Sequence, residues 1–414
     1  MNPLCLYGFG TQLSVKDRRL VVREGRFSPL SYTRYSSGQF REPKVMKFKP
    51  RQIPYDSIIV EGSSGMITFD AMRWLMHHNT PLFMLDYDGS LIAATMPPQP
   101  IRGDLHRAQV ETHLDQTKRL AIARALIRAK LDRSGEVLDW VQETYDVERD
   151  VRRFKKEAAN LGIARTVDDV RTVEGRSAEF YWLAFQETVP SKLEFKGRSN
   201  KARNRHYNAN DPVNALLNYG YAFLQSSVRR AVNATGLDAS VGFIHEDKPS
   251  TTPLVYDLQE PFRWLVDFTV LNMIQSKMFS WNDFYFAEDD YRLRIKPLLL
   301  DSYAELLRER FNSGVVYGGD RIQWDTVILR KCQELARYLT GRSSRLDMLS
   351  PEPDLERLDS RRLREKILSI STREARRVGL RKSTLHDLRK HARERKPFKV
   401  YSSSIEKLSR VDAG

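Results

Sequence analysis

Asp211-Pro212-Val213-Asn214-Ala215-Leu216-Leu217-Asn218-Tyr219-Gly220-Tyr221 opens the segment that decides the fold. An Asp at a helix start accepts hydrogen bonds from the free N–H groups of the first turn. A Pro just after it already has the backbone angle that turn needs. Leu216, Phe223 and Val232 continue the apolar spacing toward Gly236, a natural stop. The pattern predicts one long helix ending near Gly236.

The flanking sequence reads the same way. From Asp104 to about Leu339 the pattern is mainly helical. Asp104 is expected to cap a long helix carrying Val110, Leu114, Leu126 and Leu131. Another helix should start near Thr166, and a further one should cover about Leu254–Lys277. Residues 1–100 read as mostly β. Leu4–Gly8, Leu20–Glu24 and Ser57–Glu61 look like strands, and Thr68 caps a helix with Phe69, Met72 and Met76 on one face. Pro81–Asp86 and Ser90–Ala94 should form a hairpin about the Asp88-Gly89 turn. The Pro-rich stretch 96–100 and residues 341–356 read as linkers. The expected architecture is α+β and multidomain. It comprises a β-rich N-terminal domain (1–100), an all-α domain (101–345), and a basic C-terminal segment with a helix-turn-helix (346–414).

Composition narrows the partners. The chain has 414 residues, which at roughly 100–200 per domain suits two or three domains. With 41% hydrophobic and 29% charged residues it should be a soluble globular protein. Lys+Arg total 68 against 53 acidic residues, a net +15, which favours polyanionic partners such as nucleic acid. There is no run of about 18 apolar residues to span a bilayer. The N-terminus lacks a signal-peptide layout, so a cytoplasmic location with no membrane is expected. Cys5 and Cys332 give neither zinc spacing nor a disulfide framework. A bound metal would therefore be held by carboxylates and histidines.

Three helical-region stretches carry candidate chemistry. In Val173-Glu174-Gly175-Arg176, Glu174 shares a face with Val170, Ala178 and Tyr181. A carboxylate there needs a partner, and a salt bridge, for example to an Arg, would suffice. In Gly242-Phe243-Ile244-His245-Glu246, His245 follows two apolar residues. It could be a ligand or an ordinary core or surface histidine. In Leu254-Val255-Tyr256-Asp257-Leu258-Gln259-Glu260-Pro261-Phe262-Arg263, Asp257 and Glu260 would share one helical face. They form either a solvated acidic face or a pair with a cation between. Together these carboxylates and an imidazole suit Mg²⁺ or Mn²⁺. Such an ion can polarise a phosphoryl oxygen and activate a hydroxyl.

Taken in order, these stretches, with Ile58–Ala94, Gly236-Leu237-Asp238 and Asp211–Tyr221, resemble the CRISPR-adaptation integrases, the universal endonuclease/integrase of CRISPR spacer acquisition. They are also similar to their transposon-borne relatives, the casposases. The match spans roughly 1–340. By this resemblance Glu174, His245 and Glu260 take the places of the metal ligands, and Asp257 that of the neighbouring catalytic acid. It also implies a homodimer with a β N-terminal domain and a helical catalytic domain, which could pair into a dimer of dimers on double-stranded DNA.

Two basic features complete the reading. Lys192–His206 holds Lys192, Lys196, Arg198, Lys201, Arg203, Arg205 and His206 with Glu194 the only acid. Such a loop suits a phosphate backbone; it could also be a solvated loop. Arg176 is a further candidate DNA contact. In residues 371–390, Ala375 and Gly379 fit a helix-turn-helix, with Leu380, Leu385 and Leu388 as core. Lys382-Ser383-Thr384 would begin the recognition helix, with Arg381 and Arg389 as further DNA contacts. Residues 340–414 carry 20 Lys/Arg against 11 Asp/Glu, so most of the net charge lies there. This appended segment favours a casposase-like transposase, joining the 3′-OH ends of the element's DNA to target DNA by transesterification. The alternatives are a CRISPR spacer-acquisition integrase/endonuclease and a non-catalytic helix-turn-helix regulator.

Overall fold

In a computed structural model, the described residues are 2–8, 10–25, 43–61, 64–86, 91–98, 100, 102–143, 145–198, 209–245, 252–286, 293–352, 355, 367–377 and 380–394. The chain is α+β, with a β-rich N-terminal part, a helical body and small C-terminal helices.

The N-terminal part holds two four-stranded sheets. One has the order β1 (Pro3–Tyr7), β5 (Ser57–Glu61), β7 (Leu82–Leu85), β8 (Leu91–Thr95). The other has the order β4 (Val45–Phe48), β3 (Arg19–Arg23), β2 (Thr11–Lys16), β6 (Gly65–Ile67). β1, β5 and β7 run parallel, and β8 closes that sheet antiparallel to β7. Alternation along these strands sends residues to opposite faces. Leu4, Leu6, Ile58 and Leu82 pack into a cluster with the second sheet and α1 (Phe69–His77). Tyr7, Ile59, Phe83 and Leu85 join the core of the helical body instead. The first sheet thus gives residues to both cores and joins the N-terminal part to the helices, while Met84 and Ile92 toward its β8 side are exposed.

Caps set several helix starts. Thr68 accepts from the Ala71 amide, Thr166 and Asp169 form a reciprocal capping box, and Asp211 accepts from the Asn214 amide. The helices that matter for the site are α2 (Gly103–Leu114), α3 (Gln116–Gln142), α4 (Glu148–Ala159), α5 (Val167–Glu187), α6 (Pro212–Thr235), α7 (Pro253–Gln259) and α8 (Arg263–Gln275). α9 (Pro297–Asn312) and α10 (Trp324–Leu339) pack beside α8 and α6. α6 is buried through most of its length and stops at Gly236, whose φ of +81° a Cβ would strain.

The structure corrects several sequence expectations. Asp104 lies inside α2, and the long helix expected after it is two. Asp115 ends α2 and caps α3 through the Thr117 and Lys118 amides. Leu114, expected on the apolar face, is 71% exposed at that junction. Phe69 is 82% exposed. The helix expected over 254–277 breaks at Glu260–Phe262 into a 3₁₀ turn, because Pro261 has no N–H to continue the ladder. The Asp88-Gly89 and Gly379 turns lie outside the described residues. Met348 and Leu355, in the stretch read as a linker, pack into the helical core, and the Lys331 ammonium donates to the Asp347 carbonyl. Beyond it, α11 (Thr372–Arg377) and α12 (Lys382–Glu394) form a separate small core from Ile367, Ile370, Ala375, Leu380, Leu385, Leu388 and Ala392.

Candidate metal centre

His245 lies in a segment, residues 238–245, whose backbone is gripped from both sides. On one side lies Asp257 of α7, fully buried. Its Oδ2 accepts the amides of Phe243 (2.5 Å) and Ile244 (3.0 Å), and its Oδ1 accepts the His245 amide (3.0 Å). The same Oδ1 lies 2.7 Å from His245 Nδ1. On the other side, side chains of α2, α3 and α5 donate to the loop's carbonyls. Gln109 reaches Asp238 and Val241, Arg119 reaches Phe243, and Arg171 reaches Ile244. Gly242 is required by this closeness, since a Cβ there would meet Pro253 at 2.7 Å and Asp257 Oδ2 at 3.0 Å. A carboxylate acceptor at Nδ1 selects the tautomer protonated there, which leaves the Nε2 lone pair for a ligand. Burial opposes a charged ring, yet the hydrogen bond and charge of Asp257 hold the His245 pKa above its ordinary value.

Glu260 begins the 3₁₀ turn, its side chain only 5% exposed. Its Oε1 accepts from Arg263 Nε at 2.9 Å, and its Oε2 lies 2.6 Å from Lys130 Nζ. Lys130 of α3 also donates to Glu174 Oε1 of α5. One buried ammonium therefore bridges two carboxylates distant in sequence. Burial alone would raise the Glu260 pKa, but Arg263 and Lys130 pull it down to about 2. The same carboxylates raise the Lys130 pKa against burial.

Glu174, His245, Glu260 and Lys130 all line one cavity of about 320 Å³. Its floor is a buried polar network. The Tyr181 and Tyr221 hydroxyls donate to the two oxygens of Asp267 at 3.0 and 2.5 Å. Burial pushes the Asp267 carboxyl up to about 6 despite those donors. Arg198 stacks over Trp182 and Tyr221 and donates to Asn214 and Asn218. Apolar walls come from Ile127, Leu131, Phe154 and Trp182.

The structure thus brings Glu174, His245 and Glu260 to one cavity, with Asp257 behind His245. It does not set Asp257 and Glu260 as a joint acidic face: the oxygens of Asp257 are committed to the His245 loop, and those of Glu260 to Arg263 and Lys130. Among the described residues, no three His, Cys, Asp or Glu side chains stand close enough to hold an ion as they are placed. The donor chemistry nonetheless fits a hard divalent cation. Two carboxylates that share the Lys130 ammonium and, lining the same cavity, an imidazole backed by a carboxylate supply the oxygen and nitrogen donors such an ion takes. The partner expected for Glu174 was an Arg, and it is Lys130. Sequence reasoning missed Lys130, Arg171, Arg263 and Asp267. Lys130 left a signal as the one cation in the stripe Ile127, Lys130, Leu131, Ser134 that faces the cavity.

The candidate DNA contacts scatter. Arg198 belongs to the cavity wall. Arg176 is 66% exposed and 3.7 Å from Glu157. Lys201, Arg203, Arg205 and His206 lie outside the described residues. Arg381, Lys382 and Ser383 are exposed at the start of α12, with Thr384 half-buried. Arg389 instead donates to the carbonyls of Ile367 and Ile370, bracing the small C-terminal core.

Comparison with known proteins accords with this architecture. The model of the family described as CRISPR associated protein Cas1 matches residues 4–300. A CRISPR-associated protein Cas1 of Methanobrevibacter ruminantium is 28% identical over 310 residues, covering 72% of this chain and 85% of the relative. A CRISPR-associated endonuclease Cas1 of Archaeoglobus fulgidus is 25% identical over 358 residues, covering 82% and 96%. Among solved structures, a casposase bound to integration product superposes with a TM-score of 0.79 and 36% identity, covering 89% of this chain and 99% of that one. A CAS1 protein from Thermotoga maritima shares the fold, with a TM-score of 0.64 at 19% identity. A family match across 4–300, which takes in both the two-sheet N-terminal part and the Glu174–His245–Glu260 cavity, places this chain in the CRISPR-associated Cas1 family.

Proposed function

We propose that this chain is a divalent-metal-dependent DNA endonuclease and integrase of the CRISPR-adaptation kind. The observation that carries the reading is the convergence of Glu174, His245 and Glu260, far apart in sequence, on one cavity flanked by arginines. Glu174, Glu260 and His245 Nε2 would hold Mg²⁺ or Mn²⁺, with Glu174 and Glu260 exchanging their present partner for the ion. When bound, such an ion lowers the cost of charge on a phosphoryl oxygen and on the attacking and leaving oxygens.

The chain's own residues prepare the rest. Asp257 fixes the ring of His245 and the tautomer it presents. Arg263 holds Glu260 ionised and aimed. Arg198 and Lys130 offer positive charge to a phosphate entering the cavity, where low dielectric strengthens the attraction. Ile127, Leu131 and Phe154 give the cavity an apolar wall beside these charges. In strand transfer a DNA 3′-hydroxyl gives up its proton as its oxygen bonds to phosphorus and the target strand's own P–O bond breaks, and the leaving oxygen takes up a proton, so that no net proton is gained or lost.

A second reading is strand transfer of the casposase kind, with transposon ends as substrate. It is favoured by the 36% identical casposase, which covers 89% of this chain, more than the 72% and 82% reached by the two curated relatives above. Double-stranded DNA is the partner in both readings, with a homodimer as the working unit. The test is integration of a short duplex into supercoiled plasmid with Mg²⁺ or Mn²⁺. His245→Ala should lose strand transfer by about a hundredfold or more while still binding DNA, because the phosphate contacts lie elsewhere. Full activity of that variant would end both readings. Comparing a CRISPR repeat array with inverted terminal repeats as the DNA substrate separates them.

A further inference from the structure

Lys130 has no role in the chemistry assigned so far beyond its charge, yet its position is unusual. Its Nζ lies 2.6 Å from Glu260 Oε2 and donates to Glu174, while its side chain is only 16% exposed. The Glu260 side chain is 5% exposed. Two carboxylates so close would repel strongly in a buried setting, and a lone buried charge is costly. Either a proton or a cation must relieve that repulsion whenever a metal does not, and here a cation does so. α3 supplies it from a cavity-facing stripe that is otherwise apolar or small, at Ile127, Leu131 and Ser134.

We propose that the Lys130 ammonium is an internal placeholder for the metal. It holds Glu174 and Glu260 together in the metal-free protein, and it is displaced into the cavity when the ion binds. This role deepens the metal-centre reading and rests on it. Two cations cannot share the same pair of oxygens at close range, since they repel at short distance in low dielectric. Metal binding and the Lys130 bridge therefore compete, and each weakens the other by the same factor. Lys130 is thus a positioning residue: it keeps the ligands collected and ionised, and it sets the metal concentration at which the site fills. Once displaced, its ammonium faces the space a phosphodiester would enter.

The test uses the full-length protein and Mn²⁺ alone as probe, with free ion followed by electron paramagnetic resonance. Lys130→Met should bind Mn²⁺ about tenfold more tightly than the unaltered chain, the size expected for removing one competing partner. Its metal-free melting temperature should fall and recover on adding Mn²⁺, because Glu174 and Glu260 are left facing each other until the ion arrives. Lys130→Arg keeps the charge and should show no such tightening. A Lys130→Met protein whose Mn²⁺ affinity equals or falls below that of the unaltered chain overturns the inference. If the variant does not fold, the unaltered chain decides: acetic anhydride should label Lys130 more in Mg²⁺ than in chelator, read by mass spectrometry. Equal labelling in the two conditions overturns the placeholder role. Binding of no Mn²⁺ by the unaltered chain and Lys130→Met alike would instead overturn the metal-centre reading, and the inference with it.

Discussion

Asp257→Asn removes almost no volume, yet it strikes the most heavily used side chain of the site. The carboxylate is fully buried and accepts three backbone amides, two on Oδ2 and one on Oδ1, while Oδ1 also meets His245 Nδ1. An Asn has one acceptor oxygen and one NH₂ donor. In one orientation the NH₂ faces the amides of Phe243 and Ile244. In the other it faces the His245 amide and the ring. In the first case two buried amides lose their acceptor, and in the second the His245 amide does while the ring faces a new donor. At about 1–3 kcal/mol for each unsatisfied buried group, the loss is about 1–6 kcal/mol. Much of it should appear as local opening, since Gln109, Arg119 and Arg171 still hold the loop's carbonyls. If the NH₂ meets Nδ1, the ring must accept there and protonate Nε2, which spoils it as a ligand. Removing such an outer partner typically costs 10–100-fold in metal affinity. Hydrogen exchange at Phe243, Ile244 and His245 should speed up by more than tenfold, and Mn²⁺ affinity should drop within that range. Unchanged exchange at these three amides, together with unchanged Mn²⁺ affinity, would refute the idea that Asp257 builds the ligand loop.

Other consequences follow from the same geometry. The Asp267 carboxyl is pushed up to about 6 by burial, from an ordinary value of 3.8, so its contribution to stability is full below about 4 and is lost as pH rises through about 6. Asp267→Asn should therefore flatten the melting temperature between pH 4 and 6 relative to the unaltered chain, and parallel curves would show that Asp267 does not titrate there. Replacing Lys201, Arg203 and Arg205 with Ala should reduce the log–log salt slope of DNA binding by roughly 0.9 for each phosphate no longer neutralised; an unchanged slope would make that segment a solvated loop. A chain ending after Leu355, which keeps Met348 and Leu355 in the helical core, should fold and bind Mn²⁺. It should lose discrimination between DNA ends, at about 1–3 kcal/mol for each good bidentate base pairing. Retention of full end preference in competition assays would remove α12 as the reader.

Local signals in the sequence were enough for several helix starts and the class of fold. Asp211-Pro212 and Thr68 cap as read, and a helix starts beside Thr166 as expected, because capping depends only on residues within one turn. The small core of the C-terminal helix pair was also legible, since Ala375, Leu380, Leu385 and Leu388 meet within one short segment. Where α2 ends and α3 begins was not read: Asp115 is a strong cap set inside a continuous helical pattern, and it overrode that pattern. Nor was the break at Glu260–Phe262, although Pro261 was in plain view. Glu174, His245 and Glu260 could be nominated from type and surroundings, and by resemblance, but not joined. Their meeting depends on α3, α5 and the 3₁₀ turn packing together, a long-range event with no local signature. Only the tertiary structure decided that Glu174 is paired with Lys130 and that Asp257 turns to the His245 loop. It also decided that Arg389 serves its own small core and that residues near Met348 belong to the helical body. In each case the deciding interaction joins parts of the chain that periodicity and capping treat separately, and a buried charge must take whichever partner the packing brings to it.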